Sequence, residues 1–158
     1  MNIIINYIKG DILQSDINYI CQLSNCPNFI QMELIGEKQA IINMNFENYD
    51  SFLRCLEEIH LKTKITSTIG FLYKFCDLDW NIISYMINKI LYDRQIFIYY
   101  LEDKDMPQHK AKVCCCYSQS DIGRNITNFI NKNPLAKIID YSVYGDEVQW
   151  YLTIIYKE

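Results

Sequence analysis

Residues 28–46 read NFIQMELIGEKQAIINMNF, and the choice of sheet turns on them. Two apolar-rich runs flank Gly36-Glu37, a two-residue turn whose first central glycine suits a II′ hairpin. The segment therefore reads as two antiparallel strands. The same logic finds a second hairpin in the tail. There Gly145-Asp146 precedes a run in which Val148, Trp150, Leu152, Ile154 and Tyr156 alternate onto one face. The fold class expected from the two hairpins is α+β: a mainly antiparallel sheet with three helices packed on it.

Between the hairpins the apolar period changes. In ENYDSFLRCLEEIHL (47–61), at about 100° per residue, Phe52, Leu53, Leu56 and Ile59 share an arc with Phe46 and Tyr49. This is an amphipathic helix, with Glu47 and Asp50 placed in its first turn, where the dipole favours acids. TSTIGFLYKF (66–75) reads as a strand, and Asp77 or Asp79 as the N-cap of a helix apolar over more than half its circumference, WNIISYMINKILYD (80–93). QIFIYYL (95–101) is a continuous apolar run suited to an interior strand. The opening MNIIINYIKG is β-rich and stops at Gly10, and IGRNITNFINKN (122–133) is a helix ended by Asn133-Pro134. Residues 111–157 then form a C-terminal β-α-β-β unit. The expected organisation is a single domain over 1–158, with a subdomain division near 103–110 into two ferredoxin-like halves as the runner-up.

Composition excludes several functions. The chain has 158 residues, half of them apolar, which is enough for a sizeable core. Its 27 isoleucines, 14 asparagines and only three alanines carry the signature of an AT-rich genome. Residues 1–80 hold six Lys/Arg against ten Asp/Glu, whereas residues 81–158 hold nine of each. No basic run tracks a phosphate backbone, so no direct nucleic-acid partner is expected. The chain lacks an apolar run long enough for a membrane span. MNIIINYI has neither a basic n-region nor room for a full h-region, so the sequence predicts a cytoplasmic protein with reduced cysteines.

VCCCYSQSD (113–121) holds three of the seven cysteines. On a strand Cys114 and Cys116 point one way and Cys115 the other, so the three cannot close on one tetrahedral ion. Burial in a strand core is expected, with no metal and no cofactor. The junction that follows, 114–124, is a strand-to-helix passage of the kind that binds anions, and it supports an alternative reading as a small enzyme or a phosphate- or nucleotide-binding module. Against that reading, Cys116 and Arg124 are spaced too widely for a cysteine phosphatase loop, Asp121 places a negative charge in it, and Ser118 or Ser120 is expected to cap the helix. His60 is expected on the apolar arc near its helix C-terminus, satisfying carbonyls. The five glycines are scattered, and no Walker loop or dinucleotide fingerprint occurs. No catalytic residue is assigned.

What remains is surface. Glu47, Asp50, Glu57 and Glu58 are expected together on the polar face of the first helix, facing a basic partner protein. Tyr141, Tyr144 and Tyr151 are expected as aromatic anchors on the terminal hairpin. In the tail NFINK leads into KIID and the chain ends on IIYKE, which resembles short proteins of phages and low-GC Gram-positive bacteria. The expected function is stoichiometric protein–protein binding, as an inhibitor or immunity-type protein such as a phage anti-defence or anti-CRISPR protein.

Overall fold

The computed structural model describes residues 5–102, 109–145 and 149–158. The chain divides into two compact units, Met1–Met106 and Pro107–Glu158. The first contains β1 (Asn6–Lys9), a 3-10 turn (Ile12–Gln14), β2 (Tyr19–Leu23), β3 (Ile30–Leu34), β4 (Ala40–Met44), α1 (Tyr49–Lys62), β5 (Thr68–Leu72), α2 (Trp80–Ile90) and β6 (Gln95–Tyr100). Its sheet runs β1-β6-β5-β2-β4-β3.

The fold is α+β, but the expectation of a mainly antiparallel sheet is corrected here. In the first sheet every neighbouring pair is parallel except β3–β4. The hairpin reading of 28–46 is right, with Leu34 opposite Ala40. Its turn differs: the Ile35 N–H donates to the Gln39 carbonyl and encloses three residues. Gly36 is not among the residues with positive φ, so the II′ geometry is not adopted. The error lay in extending this one local pair to the whole sheet. Strand β6 shows the other regime, lying between β1 and β5 and parallel to both, as its unbroken apolar run suggests. A parallel sheet also rules out a ferredoxin-like first half.

Two crossovers, β4-α1-β5 and β5-α2-β6, travel the same way across the sheet. Right-handed connections therefore put α1 and α2 on one face, where they contact each other. Ile42, Cys21, Phe71 and Ile98 lie in register beneath them. Phe52, Leu56 and Ile59 of α1 and Ile83 and Ile87 of α2 are fully buried, each contributing about 1.5–3 kcal/mol. The β1-to-β2 passage runs in the opposite sense and carries its 3-10 turn to the other face. There Ile12 and Ile17 pack on Ile20 and Tyr99. A Cβ on Gly70 would lie 3.1 Å from both Ile12 Cδ1 and Ile17 Cδ1, so glycine permits this close approach.

The second unit holds β7 (Lys110–Cys116), α3 (Gln119–Lys132), β8 (Lys137–Gly145) and β9 (Trp150–Lys157), in the order β7-β9-β8. Strand β9 is antiparallel to both neighbours, which makes β7 and β8 parallel and α3 their crossover. This is the expected β-α-β-β unit. Cys116, Phe129, Leu152 and Ile154 form its core, with Trp150 and Tyr156 packed against it. Val148 and Asp146, singled out in the sequence, lie outside the described residues. Gly145 is opposite Trp150, and a Cβ there would meet the indole at 2.6 Å, so the ring covers bare backbone.

Candidate functional site

The acidic face of α1 is not the patch its sequence suggests. Asn48 is the N-cap, in a reciprocal capping box with Ser51, so Glu47 precedes the helix and only Asp50 lies in its first turn. Asp50 stands 3.6 Å from Arg54, and Glu58 3.4 Å from Lys62. Exposed pairs of this kind stabilise by only a few tenths of a kcal/mol, about 0.3–0.5. They do alternate the sign of the surface. Glu47 and Glu58 both line a groove of about 620 Å³ beside α1, with Phe29, Phe46, Ser51 and Lys62. Asp50 and Glu57 do not line it.

Open parallel sheets commonly bind ligands beyond the carboxyl ends of their strands, where the connections diverge. Here that place lies between β2 and β5, and side chains fill the end of the sheet. Phe75 packs on Phe71 (5.7 Å), Phe52 (6.0 Å), Phe46 (6.1 Å) and Trp80 (6.2 Å), and Trp80 meets Tyr73 at 5.1 Å. The Asp79 backbone N–H donates to the Tyr49 hydroxyl at 3.0 Å, joining the starts of the two helices. Asp79 itself caps α2 through the Asn81 N–H, as the sequence suggests.

His60 does not satisfy the carbonyls of α1. Its Nε2 lies 3.2 Å from Asp93 Oδ1, and its ring stacks on Tyr92 at 5.8 Å. Arg94 satisfies the carbonyls instead. Its Nη2 donates to the His60 and Thr63 carbonyls at 2.8 and 2.9 Å, and its Nε to Thr63 Oγ1 at 3.1 Å. Arg94 also pairs with Asp93. Burial pushes the Asp93 carboxyl up, but the Arg94 hydrogen bond and charge, joined by His60, hold it below the ordinary carboxylate value. The cluster is a structural clamp on the end of α1.

Cys21, Cys26, Cys55 and Cys116 are buried, whereas Cys76, Cys114 and Cys115 are half-buried, so the triple cysteine is core only at Cys116. Cys114 and Cys116 face α3 opposite Leu152 and Trp150, whereas Cys115 lies opposite Tyr151 on the other face. Burial raises the Cys114, Cys116 and Cys76 thiols, pushes Cys55 up to about 11, and raises Cys21 further. Thiols so raised are poor nucleophiles at neutral pH. Among the described residues no three His, Cys, Asp or Glu side chains converge as a metal site would require.

At the 114–124 junction Ser118 occupies the N-cap position of α3 but makes no side-chain cap bond. Asp121 reaches back to accept from the Tyr117 N–H at 3.1 Å and stands 3.4 Å from Arg124. The chain's own carboxylate thus places a negative charge at the start of α3, which disfavours an anion there.

The terminal hairpin separates the three tyrosines. Tyr141 and Tyr144 are 58% and 47% exposed on opposite faces of β8, but Tyr151 is 9% exposed. Its placement as an exposed anchor is corrected: it belongs to the middle strand, between Cys115 and Tyr144. Sequence reasoning missed that β8 is an edge strand, since strand order is not written in local pattern. Its alternation breaks at a register shift between Ile138 and Asp140, and beyond that shift Tyr141–Gly145 carries no charge. Comparison with protein-family models, curated proteins and solved structures finds no match to this chain.

Proposed function

We propose that this protein acts by stoichiometric binding to another protein, as an inhibitor or immunity-type protein, and that the β8 edge is its binding surface. The observation that carries this reading is the nine-residue edge strand with Ile139, Tyr141, Val143 and Tyr144 all exposed. Among the described residues β8 pairs only with β9, and such an edge offers a ladder of backbone groups for β-augmentation, while alternate side chains supply specificity. The filled end of the parallel sheet, the raised thiols and the occupied α3 start favour this reading over a catalytic one. The first unit holds nine Lys/Arg against fourteen Asp/Glu, a balance of −5. Such a field favours faster association with a basic partner without fixing the contacts. A phage anti-defence protein is the form of inhibitor that the tail resemblance favours.

The test is pull-down with mass spectrometry from the native host, comparing wild type with Val143→Lys and Tyr141→Ala. One stoichiometric partner is expected, with affinity reduced by about 1–3 kcal/mol in each variant if the edge is an anchor. A stoichiometric partner held equally by all three proteins would move the surface elsewhere. Catalytic turnover of a substrate without any protein partner would remove the reading.

A further inference from the structure

We propose that the groove between β7 and α3 is a docking site for an extended acidic peptide, added as a strand on β7 with its carboxylates on Lys112 and Lys132. Strand β7 is the other edge of the second sheet and pairs only with β9 among the described residues. Beside it, on the side that faces α3, lies a groove of about 450 Å³. Lys112 and Cys114 of β7, with Tyr156 of β9, form one wall, and Asn125, Phe129 and Lys132 of α3 lie on the other. An edge strand flanked by a helix is the arrangement in which peptides add by backbone pairing.

The sign of the ligand follows from the lining, which contains no carboxylate. Nearby cations are already matched: Lys110 lies 3.0 Å from Glu158, and Arg124 3.4 Å from Asp121. Lys112 and Lys132 are exposed and enter no ion pair among the described residues. The second unit as a whole holds six Lys/Arg against five Asp/Glu, in a chain of net charge −4. Alternate residues of an added strand point the same way, about 7 Å apart, so an acid at every second position presents a row of carboxylates to the two lysines. Two cations are few for a phosphate backbone, Phe129 is buried, and Tyr156, the one partly exposed ring of the lining, packs edge-on against Phe129 and offers no row of rings for successive bases. The observations favour a peptide.

The probe is fluorescein-labelled Glu-Val-Glu-Val-Glu-Val-Glu, read by anisotropy against the full chain at low and physiological salt. Saturable, salt-sensitive binding is expected, weakened about tenfold or more by Lys112→Glu with Lys132→Glu. Reversal of the exposed Lys137 and Lys157 is expected to change affinity less than about twofold, as a control for net charge. A backbone N-methylated probe is expected to bind at least about tenfold more weakly, since it cannot complete the ladder. Val143→Lys is expected to bind the probe as wild type does, which separates this groove from the β8 surface. Absence of saturable binding, equal weakening by the control pair, full binding of the N-methylated probe, or displacement by a single-stranded oligonucleotide of equal charge would each overturn the proposal.

Discussion

Replacing Arg94 by methionine tests the clamp on α1 directly. Arg94 is 3% exposed and binds two terminal carbonyls and a hydroxyl of one helix end, with Asp93 beside it. Methionine keeps much of the apolar stem and removes every donor. Thr63 is buried, so its carbonyl loses a partner without gaining free access to water. Breaking a buried ionic cluster from one side costs about 3–5 kcal/mol. At roughly 2–4 °C per kcal/mol for a chain of this size, the melting temperature should fall by about 6–20 °C. Arg94→Lys keeps the charge but loses the planar fork, and about 2 kcal/mol is expected. The assay must isolate the first unit, and the two tryptophans allow this. In a Trp150→Phe background Trp80, buried against Tyr73, reports the first unit alone. The clamp also sets a pH dependence. The folded Asp93 carboxyl lies below its unfolded value, so its stabilisation is present above about pH 4 and is lost as the pH falls through the folded value. Asp93→Asn should flatten that acid limb. A cost below about 1 kcal/mol for Arg94→Met would refute the reasoning, since a cluster of this burial should not be dispensable.

Gly145→Ala pushes a Cβ into the Trp150 ring at 2.6 Å and should cost about 2–3 kcal/mol, read by Trp150 emission in a Trp80→Phe background. Gly70→Ala meets the side-chain ends of Ile12 and Ile17 at 3.1 Å, so about 1 kcal/mol is expected, read by Trp80 emission in the Trp150→Phe background. Thr66 is β-branched with φ of 68°, and Thr66→Gly should relieve strain and stabilise the first unit by about 1 kcal/mol. With its thiol pushed up to about 11, Cys55 is only about one part in a thousand thiolate at pH 8. Cys55 is also fully buried, so its labelling by a disulfide reagent at pH 8 should be slowed at least about a hundredfold relative to the unfolded chain.

How much was legible can be judged element by element. Both long helices of the first unit, the Asp79 cap, the hairpin at 30–44 and the facing of the three cysteines follow from period, capping chemistry and pleat, which are local. Strand β2 was missed because YICQL is five residues long and bounded by polar segments, too short for a period to declare itself. The parallel sheet was missed because β4 and β5 are brought beside β2 by crossovers, and partner choice across a helix leaves little local trace. Tyr151 was misplaced for the same reason: alternation gives a face, but strand order decides whether that face lies on an edge. The charges of α1 failed differently. Arg54 and Lys62 stand four residues after Asp50 and Glu58, so those ion pairs were readable in the sequence and were passed over.

The edges of the two sheets are treated unequally, and the inequality bears on function. Proteins guard exposed edges with short strands, charge and bulges, because an open row of backbone groups recruits other chains. Strand β1 is four residues long and ends in Lys9, and β3 carries Glu33. Strand β7 carries Lys110 and Lys112, which disfavour pairing with any added strand but an acidic one. Strand β8 is guarded by Lys137 and its register shift at one end, yet beyond Asp140 it presents Tyr-Ser-Val-Tyr-Gly without a charge. A segment of that composition is a hazard unless something covers it when the protein works. Val143 is 37% exposed, so a cation could be carried there with its ammonium in water, although its stem would lie beside Leu152. That the sequence forgoes so simple a protection is the physical reason to place partner binding on β8.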